Sequence, residues 1–150
     1  MVSFAVGALS RGDYLVDVRL LGKEDAVVDF WSTSFRVEAA QRVETIALDR
    51  TWYKPGQQII GTVRLARTLG AHETVGVVAV DTWGRVVAVA PVVGDAAGGT
   101  FSILVESPLS EIWDIVCRVT DKRGVVDEQS VVAPIPNRVF DDYMFMLIFS

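Results

Sequence analysis

Apolar side chains fall on every second residue in short blocks separated by Gly, Pro, Asp and Asn, and no window of about 11 residues keeps a helical stripe. A strand sends successive side chains to opposite faces, so this alternation commits the chain to half-buried strands and an all-β fold. The abundance of valine, stiffened by its β-branch, favours the same outcome. Strands are predicted over residues 3–7, 14–21, 26–37, 43–48, 58–65, 75–81, 85–91, 100–106, 113–120, 125–135 and 143–149. The breaks between them carry turn chemistry: KPGQ from Lys54, DTWGR from Asp81, DAAGG from Asp95 and DKRG from Asp121.

The alternation also repeats. Sliding the early part of the chain by 99 residues sets Val2, Phe4 and Val6 on Phe101, Ile103 and Val105, and Tyr14, Val16, Val18 and Leu20 on Trp113, Ile115, Cys117 and Val119. These positions are apolar in both copies, as an inward face demands, whereas Asp17 and Arg19 against Val116 and Arg118 are mixed or charged. After a one-residue shift in the hairpin, LGKEDAVVDF lies on TDKRGVVDE, and the match runs on to Val37 and Ile135. Residues 43–97 have no earlier counterpart.

The economical reading divides the chain in three. Residues 1–38 are expected to be the last three strands of one sandwich, and residues 41–136 a whole sandwich of about seven strands, a size that suits an immunoglobulin-like module of ~100 residues. The expected fold class is thus an immunoglobulin-like antiparallel β-sandwich preceded by the closing strands of a second, similar one. Three strands alone would leave a bare face and open edges, so their cover is expected from sequence beyond this chain, from a strand-exchanged second copy, or from packing on the second module. A single larger sandwich using every strand is the alternative, and it leaves the repeat without a purpose. Residues 137–150 open with a Pro-x-Asn linker and close on an almost wholly apolar run, as expected of the first strand of a following domain whose sheet is covered on both faces.

Charge and cysteine usage narrow the partners. With 14 basic and 19 acidic residues the net charge is -5, and no Lys/Arg run exceeds two residues, which speaks against nucleic acid. The longest apolar run, over residues 143–149, falls far short of the roughly 20 residues that span a bilayer. Cys117 stands alone, so an intrachain disulfide is impossible.

The stretch LDRTWYKPGQQIIGTVRL, followed by VAVDTWGRVV and GGTFSILVESPLSEIWDIVCRV, resembles the macroglobulin-type and bacterial immunoglobulin-like β-sandwich modules. The resemblance covers roughly residues 43–135, through an aromatic-x-Pro-Gly turn, an Asp-x-x-Gly hairpin and a Gly-rich turn leading to an aromatic-initiated strand. It implies a non-catalytic module of a multidomain secreted or cell-surface protein, a glycoside hydrolase among the expected parents, with neighbouring domains of the same chain as partners. The thioester Cys-Gly-Glu-Gln motif of macroglobulins is absent from the sequence, so covalent trapping is not implied.

No reaction is legible. His72, the only histidine, lies in a Gly-Ala-His-Glu turn with no nucleophile motif for a triad, and Cys117 is in phase with a core face. Asp127, Glu128, Asp141 and Asp142 are the carboxylates worth weighing, but no spacing resembles a calcium loop, and neighbouring residues of an extended chain point to opposite faces. No cofactor and no metal are expected. Aromatics give the candidate contact residues: Trp52, Tyr53 and Trp83 sit at strand ends or turn tips, where a ring can pack on a neighbouring domain or stack on a sugar. Two roles follow, a spacer or support module and a carbohydrate-binding module, with a rim-forming part of an enzyme active site as a third.

Overall fold

The computed structural model describes residues 7, 9–106 and 108–136. Its strands are β1 (Gly12–Leu21), β2 (Val27–Val37), β3 (Val43–Leu48), β4 (Gln58–Leu65), β5 (Thr74–Asp81), β6 (Val86–Pro91), β7 (Val93–Asp95), β8 (Gly98–Leu104), β9 (Ile112–Asp121) and β10 (Gly124–Pro134). All pairings among them are antiparallel. β1 and β2 pair with each other in a two-stranded sheet, and the rest form two four-stranded sheets in the orders β10-β9-β5-β6 and β3-β4-β8-β7.

The two larger sheets pack as a sandwich because alternate residues of their strands are apolar. On β4, Ile59, Gly61, Val63 and Leu65 face inward; on β9, Trp113, Ile115, Cys117 and Val119 do the same, and all eight are buried. They join Val43, Tyr53, Phe101, Ile103, Ala133 and Ile135 in one core. Gly61 belongs to that face for its lack of a side chain. A Cβ there would overlap the ring edge of Phe101 and stand 2.9 Å from the Ala47 carbonyl oxygen.

The KPGQ and DTWGR turns form where the sequence places them. Gly56 and Gly84 have φ of 83° and 76°, values that favour glycine. One strand escaped the sequence reading. β7 has only three residues, and DAAGG was read as a turn, whereas β8 already starts at Gly98 and pairs with both Arg64 and Asp95. The sandwich therefore has eight strands where about seven were expected.

The β1–β2 hairpin forms as predicted, but its inward face is only partly covered. Tyr14 and Val16 are half-buried, and Tyr14 stacks on Phe35 with centroids 5.6 Å apart. Val18, Leu20 and Trp31 are exposed. The hairpin is tied to the sandwich at its base, where the Arg11 backbone N–H donates to the Val126 carbonyl at 2.9 Å. Among the described residues β1 and β2 pair with each other and join neither four-stranded sheet. The strand expected over residues 3–7 lies, apart from Gly7, outside the described residues, and so does everything expected of 137–150.

Candidate functional site

Charged groups mark both ends of the sandwich. At the end where the chain enters from β2, the carboxylate of Asp127 is buried. It accepts the Arg11 Nε–H at 2.7 Å and the backbone N–H of Val43, the first residue of β3, at 2.8 Å. One carboxylate thus joins hairpin, first strand and last strand. The Arg11 guanidinium, hydrogen-bonded to and attracted by Asp127, titrates above its ordinary value. Glu128 points away and pairs with Arg118 at 2.9 Å, so Asp127 and Glu128 do not form a catalytic carboxylate pair.

The candidate aromatics lie at the other end, where β3, β5, β8 and β10 finish. Trp83 sits in the β5–β6 turn and is 63 % exposed. Its turn is built by Asp81, whose buried carboxylate accepts the backbone N–H of Trp83 at 2.9 Å, the N–H of Arg85 at 3.0 Å and the Arg85 Nε–H at 2.7 Å. Burial alone would raise the pKa of Asp81, but the Arg85 guanidinium and these amides outweigh it and hold the group below the ordinary carboxylate range. The Arg85 guanidinium lies 5.0 Å from the centre of the Trp83 ring, a cation–π geometry that leaves the indole held on one side and open on the other.

Trp52 is 47 % exposed, with the Lys54 ammonium 5.3 Å from its ring centre. Tyr53 corrects the expectation of a contact residue. It is wholly buried, its hydroxyl donates to Asp49 Oδ1 at 2.7 Å, and its backbone N–H donates to the Pro134 carbonyl at 2.9 Å. Burial and the Asp49 hydrogen bond push its phenol up to about 12. The sequence misled here because Tyr53 lies in the β3–β4 connection, outside any strand period, and is turned inward by bonds to Asp49 and Pro134 that have no local signature.

Trp52 and Trp83 share an end but not a spot. Trp52 follows β3 and neighbours Tyr53, which is bonded to edge strand β10. Trp83 lies in the turn that joins β5 to β6, in the sheet other than that of β3.

The remaining polar candidates fall into structural roles. Burial, aided by the charge of Asp127, pushes the Cys117 thiol up to about 12, so at neutral pH it is an unreactive core group. His72 is exposed in the β4–β5 connection. Among the described residues no group of three or more His, Cys, Asp or Glu side chains could hold a metal ion. Asp141 and Asp142 lie outside the described residues. Neither Arg11 nor the Asp81–Arg85 lock was singled out from the sequence. The available signal for the lock was DTWGR itself, in which the acid opens the turn and the arginine follows its glycine.

With its geometry in hand, the chain is defined as an all-β protein whose two four-stranded antiparallel sheets pack as a sandwich behind a two-stranded hairpin. No protein-family model matches it, and no curated protein matches it. It is similar to part of the β-glucuronidase of Ruminococcus gnavus. The form in complex with D-glucuronic acid is 20 % identical over 72 % of this chain and 18 % of that chain, with a TM-score of 0.41. The complex with uronic deoxynojirimycin gives the same identity and coverage with a TM-score of 0.42. This chain therefore corresponds to less than a fifth of that enzyme's length.

Proposed function

We propose that this chain is a non-catalytic support module: an immunoglobulin-like sandwich over residues 41–136 that spaces or braces neighbouring domains of a larger secreted or cell-surface protein, with a glycoside hydrolase as the parent. The strand orders favour the immunoglobulin-like assignment, because the first, second, sixth and fifth strands of the sandwich share one sheet, and the eighth, seventh, third and fourth share the other. The observation that carries the support role is the polarity of the sandwich. It is entered at the Arg11–Asp127 joint and left at the opposite end, after Ile135, where Trp52 and Trp83 stand exposed. A partner domain following the exit meets those two rings first, and their cations hold them in place. The charged groups of the described residues that are buried, Asp127 and Asp81, are spent on the joint and on the turn.

The exposed, locked Trp83 also favours a second reading, stacking on a sugar ring with Trp52 as a separate contact. Affinity electrophoresis through gels containing soluble polysaccharides separates the two. A support module is expected to migrate identically with and without glycan, and Trp83→Ala is expected to change nothing. Retardation of the parent chain that Trp83→Ala abolishes would establish glycan binding and overturn the support role as the sole function.

A further inference from the structure

The β1–β2 hairpin copies the β9–β10 hairpin down to its irregularity. In the first, Tyr14 faces Phe35, Val16 faces Thr33, Val18 faces Trp31 and Leu20 faces Asp29, after which the register shifts and Leu21 faces Val27. In the second, Trp113 faces Ala133, Ile115 faces Val131, Cys117 faces Gln129 and Val119 faces Asp127, after which the register shifts and Thr120 faces Val125. Val28 and Val126 are the bulged residues, at the same step of each ladder. A bulge pins register and re-aims the strand, so two hairpins sharing it at one step present the same face.

In the β9–β10 copy that face is a wall of the core. Trp113 is 4 % exposed and Ile115, Cys117 and Val119 are 0 % exposed, the sheet β3-β4-β8-β7 lies over them, and the other edge of β9 takes β5 from Thr74↔Thr120 to Asp81↔Trp113. In the β1–β2 copy Leu20 and Trp31 are 61 % and 60 % exposed, and the outer edge of β1 pairs with no strand among the described residues. The bulged corner tells the same story. Asp127 receives the backbone N–H of the covering sheet's first strand, at Val43, and an arginine. Among the described residues, Asp29, at the equivalent step, is bonded only to the N–H of its own neighbour Phe30.

We propose that the inward face of β1–β2 is a docking surface for an antiparallel half-sandwich with the chemistry of β3 to β8: a Val/Ile/Phe-faced sheet lying over Val18, Trp31 and Phe35, and a β5-like strand adding to the edge of β1. Charge selects this occupant over a second copy of the hairpin. Asp29 is the one carboxylate among the inward residues of both strands, and the first-strand N–H of such a sheet satisfies it as Val43 satisfies Asp127, whereas a second hairpin brings another carboxylate. The inference stands apart from the support role, since it concerns what covers the hairpin and not what the sandwich does.

The test extends the chain at its beginning, placing a further copy of residues 41–105 directly ahead of Gly7 so that β3 to β8 precede the hairpin. Amides of β1 and β2 are expected to exchange at least about tenfold more slowly than in the 1–150 chain, and Asp29→Ala is expected to remove most of that protection. A control carries Tyr14→Trp, Val16→Ile, Val18→Cys, Leu20→Val, Trp31→Gln, Thr33→Val and Phe35→Ala, which give the hairpin the β9–β10 face. Protection of the control hairpin without protection of the native one overturns the proposal. So does sedimentation of the 1–150 chain as a dimer whose β1 amides are protected, which makes a second copy the occupant.

Discussion

Among the described residues the buried side-chain nitrogens and oxygens have hydrogen-bond partners, with Trp113 Nε1 as the exception, and the consequences can be measured one side chain at a time. The Tyr53 hydroxyl donates to Asp49 and accepts the Arg50 N–H at 3.3 Å, so Tyr53→Phe deletes two bonds and no packing. A loss of about 1 kcal/mol in urea denaturation is expected. The same hydroxyl is the leading cause that holds Asp49 below its ordinary value of 3.8, and the Asp49 titration followed by NMR is expected to move back up in the variant. Cys117 gives the opposite pH signature. Its thiol ordinarily titrates at 9.0 but is pushed up to about 12 in the fold, first by burial and then by Asp127. The unfolded chain therefore releases that proton first, so the contribution is complete below pH 9.0 and is lost as pH rises from 9.0 towards 12. Stability measured from roughly pH 8 to roughly pH 11 is expected to fall, and Cys117→Ala is expected to flatten the part of that slope that begins at the lower pH. Tyr53, ordinarily at 10.0, adds a second decline at higher pH.

At the scale of elements, the strands with clean alternation were legible and the exceptions have causes. β3 and β4 fall on the predicted residues, and β5, β9 and β10 lie within one residue of them at each end. β7 was invisible because three residues, one of them glycine, cannot show a period. β8 starts two residues early because Gly98 and Gly99 read as turn residues, whereas they serve close approach to Val63, Arg64, Val93 and Gly94. Gly61 is the analogous case within β4. Gly61→Ala drives a methyl into Phe101, and a cost of about 1–3 kcal/mol by chemical denaturation is expected, relieved in part by Phe101→Leu. The candidate site was legible only by residue type. Sequence brought Trp52, Tyr53 and Trp83 together as turn-tip aromatics, but orientation about the chain decides exposure. Tyr53, in the β3–β4 connection, is buried with its hydroxyl on Asp49, while Trp52 and Trp83 stayed open. The Arg11–Asp127 joint spans 116 positions in sequence and has no local signature.

For the molecule as a whole, the repeat explains an otherwise awkward surface. It does so on one face only: Val18, Leu20 and Trp31 are exposed where their equivalents in the sandwich are core, whereas Leu15 and Phe30 lie on the opposite face of the hairpin, and Val86 and Val89 are exposed on edge strand β6. The sandwich has its own core and both of its sheets, whereas the hairpin has a register, a bulge and one ionic tether. Native-state amide hydrogen exchange on the intact 1–150 chain tests that division most directly. Amides of β4, β5, β8 and β9 are expected in one slow class that opens with global unfolding, and those of β1 and β2 in a class faster by about a hundredfold or more. Exchange of β1 and β2 as slow as that of β9 and β10 would contradict it, because it would mean that the hairpin shares the sandwich's core and needs no other cover.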